Sequence, residues 1–190
     1  LCGVSVYPDA RQSDRNAFYL TQGGLGLPNR DYYTEDSFAA KREAYVVHVQ
    51  KMLKLLGQPD EAAAAGATAI LEIETALARA SKRPVELRDP VTNYHRLTPA
   101  ELERLAPGFP WRVWLEAVGA PTLGAAVVNH PPFLETLATE LTTRPLGQWR
   151  DYLAWHLVRD YASCLPAAFE EENFRFYETV LRGTPAMEPR

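Results

Sequence analysis

Between Thr34 and Gly57, the apolar residues Phe38, Tyr45, Val49, Met52 and Leu56 recur at spacings of seven, four, three and four. Only a helix keeps such a series on one side, since residues three or four apart stack one above another along it. Thr34 is placed to cap this helix, and Glu35 and Asp36 put negative charge where the helix dipole is positive. Gly57 supplies the left-handed position that ends it. The same pattern returns along the chain. After Pro59, Ile70, Ile73 and Leu77 mark a second helix, whose start "EAAAAGATA" has high helix propensity and side chains small enough for a close neighbour. "LTPAELERL" carries a capping box of Thr98 and Glu101 with Pro99 at the first helical position, and loss of the cap should cost about 1 kcal/mol. "FPWRVWLEAV" presents Trp111, Trp114, Leu115 and Val118 as a short helix, and "HPPFLETLATELT" begins another at its prolines. In "PLGQWRDYLAWHLVRDYASCL" a broad stripe of Trp149, Tyr152, Leu153, His156, Leu157, Asp160, Tyr161 and Cys164 is expected to face inward. The last helix follows Pro166 with Glu170, Glu171 and Glu172 in its early turns. Phe169, Phe174, Phe176, Tyr177 and Leu181 supply its apolar contacts, and Gly183 stops it.

The opening residues follow a different period. Val4 and Val6 alternate with polar or small neighbours, as do Phe18 and Leu20, and a polar stretch from Pro8 to Arg15 separates the pairs. That is a β-hairpin. The expected fold is mainly α: a hairpin over 1–22, then a helical bundle over 34–183, within one domain of 190 residues. At 46% hydrophobic the chain can build one core and bury roughly 70% of its unfolded surface. A net charge of −4 with Lys and Arg dispersed along the chain excludes a nucleic-acid footprint. No apolar run reaches the roughly 18 residues that span a bilayer. Cys2 and Cys164 make neither a metal spacing nor a disulfide framework. The start at Leu1 and the ending "TPAMEPR" read as those of a piece excised from a longer protein, which leaves compartment undetermined.

No self-contained catalytic site emerges. Gly23, Gly24 and Gly26 lead into Leu27 and Pro28, not into the lysine and hydroxyl of a phosphate loop, so they read as a structural turn. His48, His95, His130 and His156 lack the i, i+4 partner that would put two metal ligands on one helical face. Glu72 with Glu74, and the run Glu170 to Glu172, have no apparent apolar pocket to raise one pKa, and the run reads as a solvated face. Ser81, Ser163 and Cys164 carry no nucleophile signature. The tryptophans and tyrosines read as core.

Taken in order, several segments resemble one family. "LTQGGLGLPNRDYY" is similar to a signature of the neprilysin and endothelin-converting-enzyme family of zinc metallopeptidases, matching at Gln22, Leu25, Gly26, Leu27, Pro28, Arg30, Asp31, Tyr32 and Tyr33. Glu74, Arg88, Asp89, Pro90, Tyr94, Thr98, Leu102 and Trp111 fit its next region in order, and "PLGQWRDYLAWHLV" and "FRFYETVLRGTPAMEPR" continue the match. "NAFY", Asn16 to Tyr19, also resembles the family's substrate-binding strand, but it stands before the Leu-Gly-Leu-Pro loop, away from any zinc motif, and reads as a coincidence.

The resemblance implies part of the amino-terminal, helical half of such a peptidase, which caps a cavity that admits small peptides. The family's zinc site uses H-E-x-x-H and a downstream glutamate, with the motif's glutamate as general base. No H-E-x-x-H occurs here, so no catalytic and no metal residue is expected within the chain, and zinc is expected in the carboxy-terminal catalytic half. That half and the parent's peptide substrate are the expected partners, with self-association through an uncovered apolar patch and no nucleic acid. Arg30, Asp31, Arg88 and Asp89 are the candidate contacts to the cavity or to the other half. The parent is expected to be periplasmic, extracellular or membrane-anchored. A non-catalytic helical binding or scaffold module related to these peptidases is the alternative.

Overall fold

Asp9 turns the chain sharply. Its Oδ1 accepts the Arg11 N–H at 2.9 Å, the local bond by which aspartate makes a turn. Tyr19 secures it from across the hairpin, its hydroxyl accepting from Ala10 N–H at 3.0 Å and donating to the Pro8 carbonyl at 3.2 Å. The computed structural model, which describes residues 1–185, therefore runs β1 (Gly3–Asp9) almost directly into antiparallel β2 (Gln12–Thr21). The expected hairpin is present, but most of its polar stretch is strand and not connection. Backbone pairing ignores side-chain polarity, and the register shift at Pro8/Asp9 absorbs the extra residues.

The hairpin belongs to a larger sheet. β3 (His95–Leu97) and β4 (Ala126–Val128) lie inside the stretch read as helical, and the strand order is β1-β2-β4-β3. β4 runs parallel to β2, with Ala126, Val127 and Val128 opposite Phe18, Tyr19 and Leu20, and antiparallel to β3. Neither strand is legible from the sequence, because three residues give no measurable alternation, and Ala-Val-Val is buried at every position.

Two compact units divide the chain: Leu1–Leu25 with Ala76–Arg144, and Gly26–Thr75 with the residues from Pro145 onward. The first holds the sheet with α4 (Pro99–Leu105), α5 (Trp111–Ala117) and α6 (Pro131–Thr143). The capping box forms as expected: Thr98 Oγ1 accepts the Glu101 N–H, and Glu101 Oε2 accepts the Thr98 N–H at 2.8 Å. Leu20, Val127, Leu102, Trp111, Phe133 and Leu137 are buried in this unit.

The second unit contains α1 (Asp31–Thr34), α2 (Ala39–Leu55), α3 (Asp60–Arg79, counted here as far as Thr75), α7 (Leu146–Asp160) and α8 (Ala167–Phe174). α8 passes into a π-helical segment, Arg175–Val180. Eight α-helices and a small sheet make the described residues mainly α. Residues 186–190, the end of the closing segment matched to the family, lie outside them.

Two helical expectations need correction. Thr34 caps nothing; it ends α1 and its hydroxyl donates to the Arg30 carbonyl at 3.3 Å. The chain re-enters helix through a 3-10 turn, Asp36–Phe38, while Arg42 Nη1 satisfies the exposed carbonyls of Tyr32 and Glu35 at 2.8 and 2.7 Å. On α7 the inward face is Trp149, Tyr152, Trp155 and Val158, whereas Leu153, Leu157 and Tyr161 are 52%, 61% and 56% exposed. The stripe was too broad to choose its own inner side. Trp155 enters the core because its Nε1–H finds an acceptor there, the Tyr45 hydroxyl at 2.9 Å.

Candidate functional site

The Leu-Gly-Leu-Pro loop lies on a buried carboxylate. A side chain at position 26 would collide with the Tyr45 hydroxyl and come within 3.1 Å of Glu74 Oε1, so glycine is required there for space. Gly24, two residues earlier, is required for conformation, with φ at 76°. The loop is the structural turn expected from the sequence, and its chemistry is that of what it covers.

Glu74 is fully buried. Its Oε2 accepts from the Tyr33 and Tyr45 hydroxyls at 2.7 and 2.8 Å, and its Oε1 lies 2.9 Å from the Tyr45 hydroxyl and 3.0 Å from His156 Nε2. Each phenol also accepts: Tyr33 from the Leu27 N–H at 2.8 Å, Tyr45 from Trp155. Tyr177 closes the loop's other side by donating to the Gly26 carbonyl at 2.9 Å. Burial, and then the Glu74 charge, push Tyr33 and Tyr45 well above the usual phenol range, so both remain neutral donors. The Tyr33 and Tyr45 bonds converge on the carboxylate, and buried hydrogen bonds of this kind stiffen a core. Chemically the network is an anchor for the loop.

Contrary to the expectation from the sequence, Glu74 lies in an apolar setting. The signal was present: Glu74 is four residues from Ile70 and three from Leu77, inside the apolar face of α3. An acid on that face must be buried, and a buried acid must be paired.

A second acid differs from its expectation in the same way. Glu172, read as part of a solvated run, accepts from Arg175 Nε at 2.8 Å and lies 3.0 Å from His48 Nδ1 and 3.5 Å from Lys51 Nζ. Partial burial raises its pKa, but the Arg175 and His48 bonds outweigh that and hold it at about 2. His48 is fully buried and stacked on Phe176 at 4.6 Å. Burial lowers its pKa, so the neutral ring donates Nδ1–H to Glu172.

The four candidate contact residues form two neighbouring pairs, one in each unit. Arg30 Nε is 4.0 Å from Asp31 Oδ1 at the start of α1, both half-buried, and Asn29 Oδ1 accepts the Asp31 N–H at 2.9 Å. Arg88 ends an exposed 3-10 turn, Glu86–Arg88. Asp89 Oδ1 accepts the Val91 and Thr92 N–H groups at 2.9 and 3.3 Å, and the Val91 bond foremost lowers its pKa. Neither pair is enclosed in a core.

The donor set does not fit a zinc ion. Among the described residues no three His, Cys, Asp or Glu side chains converge as a metal site. Two of the histidines are engaged elsewhere, His48 with Glu172 and His95 Nδ1 with the Val128 carbonyl at 3.0 Å, and His156 Nε2 lies 3.0 Å from Glu74 Oε1. Among the same residues no helix is long and apolar enough to cross a membrane.

Comparison with known proteins gives the class of the chain. The amino-terminal model of peptidase family M13 matches residues 1–190, and the chain belongs to that family. It is 35% identical over 187 residues to endothelin-converting enzyme 1 of Cavia porcellus and 34% identical to that of Homo sapiens. The match covers 95% of this chain and 25% and 24% of theirs. The structure of the Mycobacterium tuberculosis zinc metalloprotease Zmp1 in its open state superposes with a TM-score of 0.94 at 34% identity. It covers 99% of this chain and 30% of that one. The chain thus spans about a quarter of the length of the curated relatives it matches.

Proposed function

We propose that these residues are the helical, substrate-enclosing part of a zinc-dependent metalloendopeptidase that hydrolyses peptides. Zinc and its ligands belong to the remaining polypeptide. The carrying observation is the match to family M13 along the whole chain, where the described residues offer no convergent metal ligands. The role of this region is then mechanical: to hold a rigid wall against the catalytic half and limit what enters. The Glu74 anchor suits that role, because it fixes the Leu-Gly-Leu-Pro loop from beneath without exposing a reactive group.

Arg30 and Asp31, and Arg88 and Asp89, are proposed as contacts to the cavity or the catalytic half, consistent with their partly or fully exposed positions. The exposed apolar side chains Leu56, Leu157 and Tyr161 are proposed as surface that the rest of the polypeptide covers, and through which residues 1–190 alone would self-associate. A periplasmic, extracellular or membrane-anchored location of the whole protein goes with this reading.

The test compares the full-length polypeptide with residues 1–190 for bound zinc and peptide cleavage. Stoichiometric zinc and chelator-sensitive cleavage are expected from the former, and neither above background from the latter. Cleavage by residues 1–190 overturns the reading. A full-length protein without zinc or cleavage replaces it with a helical scaffold module.

A further inference from the structure

β2 is longer than the strand beside it. β4 covers only Phe18 to Leu20, although β2 begins at Gln12. The Leu20 carbonyl accepts the Asn129 N–H at 2.9 Å, which fixes the side of β2 that faces β4. Strand geometry repeats every two residues, so Asn16 turns its backbone N–H and C=O to that same side, beyond the last β4 partner. A groove of about 360 Å³ opens there. Phe18, Val6 and Val127 give it apolar walls, and Gly124 borders space in which an added Cβ would meet nothing within 4 Å.

The rim is cationic. Arg15 and Arg96 line the groove, both exposed, and neither has a hydrogen bond or close ion pair among the described residues. The acid at the groove, Asp9, is already engaged by the Tyr94 hydroxyl at 2.9 and 3.1 Å and by the Arg11 N–H. Arg11 itself stacks on the Tyr94 ring at 4.4 Å. Positive charge therefore exceeds negative here, on a chain whose net charge is −4.

We propose that this groove binds an extended peptide segment carrying acidic side chains, as an added strand alongside the uncovered part of β2. An extended backbone satisfies Asn16, apolar side chains at alternate positions settle on Phe18 and Val6, and carboxylates between them reach Arg15 and Arg96. The site lies outside the Glu74 network and does not depend on where zinc is held.

The experiment titrates a fluorescein-labelled Val-Glu-Val-Glu-Val peptide into the full-length protein, read by anisotropy, with Val-Lys-Val-Lys-Val as control. The acidic peptide is expected to bind and the basic one not, with affinity falling as salt is raised. The double variant Arg15→Gln, Arg96→Gln should weaken binding about tenfold or more, which is the loss of two charge-assisted contacts. Gly124→Val places its side chain in open space, so it should block the groove while leaving the circular dichroism spectrum and melting temperature unchanged. Equal affinity for the two peptides, no binding of either, or binding indifferent to both variants overturns the proposal.

Discussion

Glu74 and Asp9 are both buried carboxylates that accept hydrogen bonds from tyrosine, and they differ in their other neighbours. Glu74 sits in the core of one unit, where Tyr33 and Tyr45 are themselves buried and their other bonds are used. Asp9 closes a hairpin turn in the other unit, beside an open groove and three arginines. Its Arg11 backbone bond is foremost in lowering its pKa. The difference teaches what a carboxylate–tyrosine bond does in each setting. Without water the bond must be made, and it fixes structure. Asp9, also buried, divides its oxygens between a backbone N–H and a phenol, and the positive charge on the groove rim stays available to a ligand.

The sharpest way to break the comparison is to remove the buried acid. Glu74→Ala leaves the Tyr33 and Tyr45 hydroxyls without their acceptor and opens a cavity. Urea denaturation should show a loss of about 3–5 kcal/mol. A loss under 1 kcal/mol would mean water enters and the network is no anchor. Gly26→Ala tests the same centre from above. The new methyl group meets the Tyr45 hydroxyl, and overpacking of this kind should cost about 1–3 kcal/mol, with the melting temperature as readout.

Deleting one hydroxyl at each place compares them directly. Tyr45→Phe strands the Trp155 N–H and removes a donor to Glu74, for an expected loss of about 2 kcal/mol. Tyr94→Phe should lose less, about 1 kcal/mol, because Asp9 keeps its bond from the Arg11 N–H and no second buried donor is stranded. Equal losses would erase the distinction between the two sites.

The pair His48–Glu172 gives the gentlest test, by pH. Both folded-state pKa values are depressed, His48 from 6.5 and Glu172 from 4.5 to about 2. A depressed group favours folding above its unfolded pKa and loses that contribution as pH falls. Stability should therefore decline in two stages, first below about pH 6.5 and then from about 4.5 toward 2. His48→Phe should shrink the first stage in a series of thermal melts, leaving the part owed to His130, whose pKa burial also lowers. A profile unchanged by that substitution would place the histidine's proton elsewhere.

Much of this was legible in the residues. The 3–4 spacing located the helices, Thr98 and Glu101 fixed a start, and Gly57 and Gly183 fixed two ends, at φ values of 90° and 81°. Those signals are local: a cap or a left-handed turn is decided within one turn of chain. The order of segments around the Leu-Gly-Leu-Pro loop also carried the family. Which stripe of α7 turns inward, which three residues become β4, and which glutamate is buried were decided by partners distant in sequence. Glu74 meets Tyr33 and Tyr45 from 41 and 29 residues away, and Trp155 meets Tyr45 across 110. Periodicity shows that a face is apolar but not what will lie against it. Only packing brings the loop, the phenols and the acid into one place, and only there does the third glycine of the loop acquire its reason.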